Sequence, residues 1–153
     1  LAMVILLLWK GTRTTPPLAT TERLPGGLQM RLDDALRAGA PTFDAYKAKI
    51  TLEDHDKLTY PNMSGMTQLV LNAKLTNRGD RTLVGVELEL RAMSYAEPGK
   101  TLALNYSLPI PRKRSKLAPG ESMPVTMKVD LPSKMSEAEV SDIVPTVTGL
   151  RFQ

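Results

Sequence analysis

The stretch 68-QLVLNAKLTNRGDRTLVGVELEL-90 contains two runs of alternating apolar residues on either side of a polar corner. Successive side chains of a strand point to opposite faces, so period-two alternation separates a buried face from a wet one. The buried face would carry Leu69, Leu71, Ala73 and Leu75 in the first run, and Val84, Val86, Leu88 and Leu90 in the second. The wet face of the second run would carry Glu87, Glu89 and Arg91. The stretch therefore predicts a β-hairpin that turns at the Asn-Arg-Gly-Asp corner.

Alternating runs continue on both sides of this hairpin. They cover Tyr46 to Leu52, Leu102 to Ile110, Met123 to Leu131 and Val147 to Phe152, and a helical turn or two fits Met135 to Ile143. No segment is long enough for a crossover helix between parallel strands. The pattern predicts an all-β domain over 42–153, an immunoglobulin-like antiparallel β-sandwich of six or seven strands. Its predicted core contains Leu71, Leu75, Val86, Leu88, Leu104, Val125 and Val129.

The composition of the chain is that of a folded protein. Its 153 residues are 42% hydrophobic and 24% charged, which suits one domain with an appendage. Since the chain has no cysteine, disulfides, thiolate catalysis and Cys-based metal sites are excluded. Only two Phe, four Tyr and one Trp are present, so stacking surfaces for bases or sugar rings are scarce.

The N-terminal segment Leu1 to Trp9, LAMVILLLW, is wholly apolar and is followed by Lys10. Trp9 and Lys10 are types that favour a membrane interface, but nine residues are fewer than the about 20 that a spanning helix needs. We therefore expect residues 1–10 to be the far end of a transmembrane anchor helix. A retained signal peptide or a buried soluble segment are the alternatives; a signal carries its basic residues before the apolar run, whereas Lys10 and Arg13 follow it.

Two segments separate the predicted anchor from the domain. Residues 11–27 are rich in Thr, Pro and Gly without apolar periodicity, which predicts an extended linker. Residues 28–40 place Leu28, Leu32, Ala35 and Leu36 at helical spacing before Gly39 and Pro41, which predicts a short amphipathic helix. Such a helix could pack on the domain, lie on the membrane or contact a partner subunit.

Candidate catalytic or metal sites are few. The single histidine stands in Glu53-Asp54-His55-Asp56, whose atoms could bind a cation, although the run is typical of turn chemistry. Arg78-Gly79-Asp80 spells an adhesion tripeptide, but a hairpin corner favours Gly and Asp for backbone reasons. One histidine and no Gly-rich phosphate loop argue against hydrolytic and nucleotide chemistry. The sequence predicts no enzyme, no metal, no cofactor and no small-molecule substrate.

The strongest charge feature is the loop Arg112, Lys113, Arg114 and Lys116, with four cations in five residues. We expect this loop at a hairpin tip, where it could meet anionic lipid headgroups or an acidic partner, a solvated turn being the alternative. Nucleic acid is not predicted as a partner, because the net charge is only +4 and aromatic residues do not interleave the cations.

Several motifs resemble a known group of domains. LTNRGDRTLVGVELELRA, PGKTL, LAPGESMPVTMKVDLP and VPTVTGLRF are similar to FxLYD-type domains and related membrane-anchored bacterial families of unassigned function. The similarity covers roughly Phe43 to Phe152, although Arg91-Ala92 replaces the Tyr-Asp of the name-giving motif. The resemblance implies a non-enzymatic β-sandwich displayed on the periplasmic side of a bacterial inner membrane, and it assigns no catalytic residue.

Two functions of different class follow as expectations. The first is a single-pass, membrane-anchored accessory subunit that contacts the bilayer and the other subunits of a larger bacterial complex. The second is an extracytoplasmic module that binds or senses a small ligand or envelope polymer. Ligand sites usually gather aromatic and convergent polar side chains in a concavity. Because this chain is poor in aromatics, the sequence favours the accessory subunit.

Overall fold

The computed structural model describes residues 19–24, 27–61 and 64–153, with side chains from residue 30 onward. The predicted anchor over 1–10 and the first part of the predicted linker lie outside these residues. Within them, no helix is both long enough and apolar enough to cross a membrane. The elements are β1 (Ala19–Leu24), β2 (Gly27–Leu32), α1 (Pro41–Lys47), β3 (Ile50–Pro61), β4 (Thr67–Asn77), β5 (Leu83–Ser94), β6 (Thr101–Leu108), α2 (Pro109–Arg112), β7 (Ser122–Asp130), a 3-10 turn (Glu137–Glu139) and β8 (Val140–Phe152).

Two antiparallel three-stranded sheets form the body of the protein, with strand orders β3-β4-β7 and β6-β5-β8. The hairpin β1-β2 forms a separate two-stranded sheet. Apolar side chains from both three-stranded sheets meet in one hydrophobic cluster, in which Leu71, Leu75 and Leu88 are fully buried. The predicted all-β class is therefore confirmed, and six of the seven predicted core residues lie in the cluster, with Leu104 outside it.

The predicted hairpin between β4 and β5 is wrong. The two strands face the same core but belong to different sheets, and each is the central strand of its own sheet. The connecting corner is held by buried Asn77, whose amide donates to the carbonyls of Arg81 (2.8 Å) and Leu117 (3.1 Å). The Tyr46 hydroxyl lies 2.9 Å from the Asn77 side-chain oxygen. Gly79 is required because a Cβ there would come within 2.1 Å of that hydroxyl.

On the outer face of β5, Glu87 and Glu89 are buried rather than wet, whereas Arg91 is partly exposed. Glu87 is 0% exposed and Glu89 only 4% exposed, because the β2 segment covers this face of the sheet. A β-bulge between Leu83 and Gly85 also shifts the first residues, so Leu83 is buried in the core in place of the predicted Val84.

The predicted faces of β6 are reversed. Tyr106 pairs with Glu89 and Leu104 pairs with Arg91, and directly paired residues lie on the same side of a sheet. Leu104 and Tyr106 therefore lie on the outer face, where β2 covers part of the sheet. Ala103 takes the core position opposite Ala92. Leu104 is 7% exposed and so is buried, but it lies on the outer face of the sheet, on the same side as β2, and not between the two sheets.

The segment before the domain also differs from the prediction. Residues 27–32 form strand β2 in place of the predicted helix over 28–40, and 19–24 of the predicted linker form its partner β1. The helix instead occupies Pro41–Lys47, where a strand was predicted to begin at Tyr46. Pro41 at the helix start, Asp44 in the first turn and Lys47 in the last turn are favourable helix signals. The closing strand begins at Val140, earlier than predicted.

Candidate binding groove

A groove opens between β6 and β7, the edge strands of the two sheets. The strands approach each other at one end, where the Asn105 side-chain amide donates to the Lys128 carbonyl at 2.7 Å. Toward Leu108 and Ser122 the groove widens to a cavity of about 620 Å3. We call this space the β6-β7 groove; it is lined by residues of β2, β6, α2, the following loop and β7.

The walls of the groove are largely apolar. Leu108, Met123 and Val125 line it and are each at most 5% exposed, so their packing fixes its floor. Pro124 and Met30 are exposed along its sides, with Met30 at 38%. A mainly apolar concavity with a few polar groups at its border is the usual form of a binding site.

The basic loop is not a hairpin tip, because β6 and β7 belong to different sheets and the loop crosses between them. Both of its ends are anchored. Ile110 and Leu117 are fully buried, and each forms a β-bridge to the central strand β5, Ile110 with Val86 and Leu117 with Leu83. The Leu83 and Leu117 main chains exchange hydrogen bonds of 3.0 and 2.9 Å. The loop that carries the four cations is therefore held to the domain at both of its ends.

Three of the four predicted cations reach the groove. Arg112, Lys113 and Arg114 line it, whereas Lys116 does not. Arg114 donates to the Ser122 carbonyl at 3.2 Å and lies 3.8 Å from the Glu121 carboxylate, and the Arg112 guanidinium touches the sulfur of Met30. Within 30–61 and 64–153, Lys113 forms no side-chain hydrogen bond or ion pair. The rim thus carries positive charge that Glu121 partly offsets.

The edge of β7 directs main-chain groups into the groove. In an antiparallel pair, residues alternate between directing both main-chain groups toward the partner strand and directing both away. The Lys128 carbonyl accepts from Asn105 of β6 and the Ser122 carbonyl accepts from Arg114, so the even-numbered residues point away from β4. Thr126 shares this orientation, as does Pro124, whose missing N–H is tolerated at an edge.

The β6 wall is fixed by a charged network on its outer side. The Tyr106 hydroxyl donates to Glu89 at 2.9 Å, the Arg91 side chain pairs with the same carboxylate, and the Arg31 guanidinium lies 3.9 Å from the centre of the Tyr106 ring. Burial, together with the hydrogen bond to Glu89, raises the pKa of Tyr106 to about 12. The phenol therefore stays protonated at neutral pH and keeps donating to Glu89.

The remaining predicted sites do not join the groove. Glu53, Asp54, His55 and Asp56 lie exposed on β3, and a β-bulge falls between Asp54 and Asp56. The hydrogen bond from Lys74, at 3.0 Å, lowers the pKa of Glu53. In the described part of the chain, no group of His, Asp and Glu side chains could hold a metal ion. Trp9 and Lys10 lie outside the described residues.

Sequence reasoning missed the contribution of β2. Met30 lines the groove, and its neighbour Arg31 reaches the buried carboxylate of Glu87 at 3.0 Å. The signal was present, since Leu28, Met30 and Leu32 alternate as in a strand, but Leu28, Leu32 and Leu36 also fit one face of a helix. Comparison with known proteins gave no counterpart: no protein-family model, no curated protein and no solved structure matches this chain.

Proposed function

We propose that this protein is a non-enzymatic accessory subunit of a bacterial membrane complex and that it docks an acidic neighbour at the β6-β7 groove. Residues 1–10, as the end of a single transmembrane helix, would hold it in the inner membrane, with the β-domain on the periplasmic side. The observation that carries the docking proposal is the position of Lys113, without an ion pair in the described structure, between Arg112 and Arg114 on the rim of an apolar groove. Unpaired charge beside apolar surface favours a partner of opposite charge.

The strand order supports an immunoglobulin-like sandwich as the framework. The strands of an immunoglobulin domain are lettered A to G in chain order. Strands B and C are central in opposite sheets, and strand E joins the sheet of strand B. The orders β3-β4-β7 and β6-β5-β8 correspond to A-B-E and C′-C-F. Such frameworks commonly serve as recognition domains, and the sequence resemblance to FxLYD-type domains points the same way.

A ligand-binding module is the second candidate. The groove volume of about 620 Å3 falls within the range of small-molecule sites, roughly 300–1,000 Å3. An envelope polymer with anionic groups could use the same cations. The two candidates differ in what should be recovered with the protein, a stoichiometric protein subunit or a small or polymeric ligand.

The test is mild detergent extraction of the full chain from its native membrane, followed by native mass determination and mass spectrometry. We expect a defined complex that contains a second protein in fixed stoichiometry. Replacing Arg112, Lys113 and Arg114 together by Ser should reduce recovery of that protein. The thermal midpoint should stay nearly unchanged, because Ile110 and Leu117 anchor the loop and the three exposed cations do not.

Lys116→Ser is the matched control, since it removes a cation of the same loop that does not line the groove. It should leave recovery of the partner unchanged. A lone monomer from the wild-type extract would contradict the accessory-subunit proposal. Equal loss with Lys116→Ser and with the triple variant would show that net charge, and not the groove, controls association. Recovery of a small ligand without a protein would favour the second candidate.

A further inference from the structure

The unpaired edge of β7 offers more than a charged surface to a partner. Thr126 and Lys128 direct their N–H groups away from β4, and β7 has no strand partner on that side among the described residues. The carbonyl of Pro124 points the same way, while the Ser122 carbonyl is taken by Arg114. These groups form a row of donors and acceptors with the spacing of a strand edge.

The length of this edge sets the size of what can pair with it. From Ser122 to Thr126 the strand advances about 13 Å, at about 3.3 Å per residue. Four or five residues of an extended chain would match that length. Beyond it, the Asn105 contact to Lys128 closes the groove, so a longer segment would have to leave it there.

The chemistry of the walls sets the composition of such a segment. Side chains of an added strand would alternate between the apolar floor, at Leu108 and Met123, and the outer side. The cations Arg112, Lys113 and Arg114 stand at the wide end, where negative charge would be favoured. Alternating apolar and acidic residues satisfy both requirements.

We infer that the groove receives an extended acidic segment of a partner protein, which adds to the edge of β7 and places carboxylates against Arg112, Lys113 and Arg114. The inference rests on the proposed docking function and specifies how the partner is held. Main-chain pairing supplies affinity in this mode of recognition, and alternate side chains supply specificity. An anionic lipid headgroup could meet the same cations, but it has no use for the β7 edge.

The test measures binding of the labelled peptide acetyl-Val-Glu-Leu-Glu-Val-Glu-amide to the full chain by fluorescence anisotropy at about 0.05 M salt. We expect saturable binding that weakens as the salt concentration rises. The same peptide with Gln in place of each Glu should bind more weakly. Equal binding of the two peptides would overturn the role of charge.

Thr126→Pro tests the edge directly, because it removes one outward N–H at a position equivalent to Pro124, where proline already occurs. We expect peptide binding to weaken about tenfold. Thr126→Val keeps the N–H and should bind as the wild type does. Lys113→Ser should weaken binding about threefold to fivefold, and Lys116→Ser should not. Full-strength binding by a folded Thr126→Pro variant would overturn the inference.

If Thr126→Pro fails to fold, amide hydrogen exchange of the wild type still tests whether the peptide pairs with the β7 edge. The bound peptide should slow exchange at Thr126, whose N–H faces the groove, and change Met127 little, because that N–H faces β4. Unchanged exchange at Thr126 in the bound state would also overturn the inference.

Binding to vesicles that contain phosphatidylglycerol tests whether the groove binds a lipid headgroup and not a peptide. Vesicle binding that falls with Lys113→Ser and not with Thr126→Pro, in the absence of peptide binding, would identify the groove as a headgroup site and overturn the inference. The proposed function fails separately, by recovery of a lone monomer from membranes, and that result would leave a measured peptide complex intact.

Discussion

Glu87→Gln should strongly destabilise the protein, because it removes a buried carboxylate that is paired with two arginines. The Glu87 carboxylate is 0% exposed and accepts from Arg31 (3.0 Å), Arg37 (2.5 Å), the Leu32 N–H (2.8 Å) and the Thr148 hydroxyl (2.8 Å). Burial alone would raise the pKa of Glu87, but these donors outweigh it and hold the pKa at about 2, against an ordinary 4.5.

The magnitude follows from that difference in pKa. Each unit corresponds to about 1.4 kcal/mol of preference for the charged form, so the change from 4.5 to about 2 corresponds to about 3 kcal/mol. Removing one partner of a buried ion pair typically costs about 3–5 kcal/mol. Since the side chain of Arg37 is 35% exposed and can regain water, we expect about 3 kcal/mol.

The dependence on pH gives a second readout. Because folding lowers the pKa of Glu87, its contribution is fully present above pH 4.5 and is lost as the pH falls from 4.5 toward about 2. Urea unfolding followed by circular dichroism should therefore show a large difference between wild type and Glu87→Gln at pH 7. The difference should shrink steadily below pH 4.5.

Glu97→Gln provides the control, since Glu97 is an exposed residue whose ion pair in the described part of the chain is with exposed Lys100 at 3.3 Å. It should change the free energy of unfolding by less than about 0.5 kcal/mol. In Glu87→Gln, amide exchange at Leu32 should also accelerate, because the acceptor of that N–H loses its charge. A cost below about 0.5 kcal/mol for Glu87→Gln at pH 7, or a difference that does not depend on pH, would refute the reasoning.

Three further predictions test the core, the corner and the anchor. Leu88→Ala should cost about 2–5 kcal/mol in urea unfolding, because Leu88 is fully buried between the sheets; a cost under about 0.5 kcal/mol would contradict that position. Gly79→Ala should cost about 1–3 kcal/mol by the same measurement, because its Cβ would meet the Tyr46 ring, and the double variant with Tyr46→Ala should lose less than the sum of the singles. Carbonate washing should leave the full-length protein in the membrane pellet if residues 1–10 anchor it, and release into the supernatant would reject the anchor.

The alternation of single strands could be predicted from the sequence, because it depends only on the period of the backbone. Leu71 and Leu75 of β4 lie in the core, and along β7 Met123 to Val129 alternate between buried and exposed as predicted. The choice of partner strand could not be predicted in this way. Alternation with a period of two residues shows which side chains of one strand share a face. The same alternation occurs in two paired strands of a hairpin and in two strands that face each other across a core, so it does not identify the partner strand.

The corner at 78–82 illustrates the difference. Its Gly and Asp suit a hairpin turn, yet Gly79 does not have a positive φ, and its lack of a side chain makes room for Tyr46. Tyr46 comes from a helix more than 30 residues earlier, so no local pattern announces the contact. Asn77 alone offered a signal, as a polar residue able to satisfy several main-chain groups at the end of an apolar strand.

The outer face of β5 was misjudged because charged residues were assumed to be solvated. Glu87 and Glu89 are polar by sequence, but each is buried against arginines, Arg31 and Arg37 for the first and Arg91 for the second. A buried carboxylate is stable only with such partners, and Arg31 of β2 is one of them. The error about the exposure of Glu87 therefore follows from the failure to predict strand β2. The sequence does not reveal that a segment far from β5 returns to cover it.

The same strand changes the geometry expected near a membrane. With 19–24 and 27–32 in a hairpin that packs on the domain, the spacer after the predicted anchor shortens from 11–27 to 11–18. Eight residues extend over about 28 Å at most, at about 3.5 Å each. If residues 1–10 are the end of a transmembrane helix, Ala19 would lie within about that distance of the membrane surface. Under the same condition, because Met30 of this hairpin borders the groove, a partner that enters there would present its acidic segment close to the membrane, and the proposed partner would then be another membrane subunit.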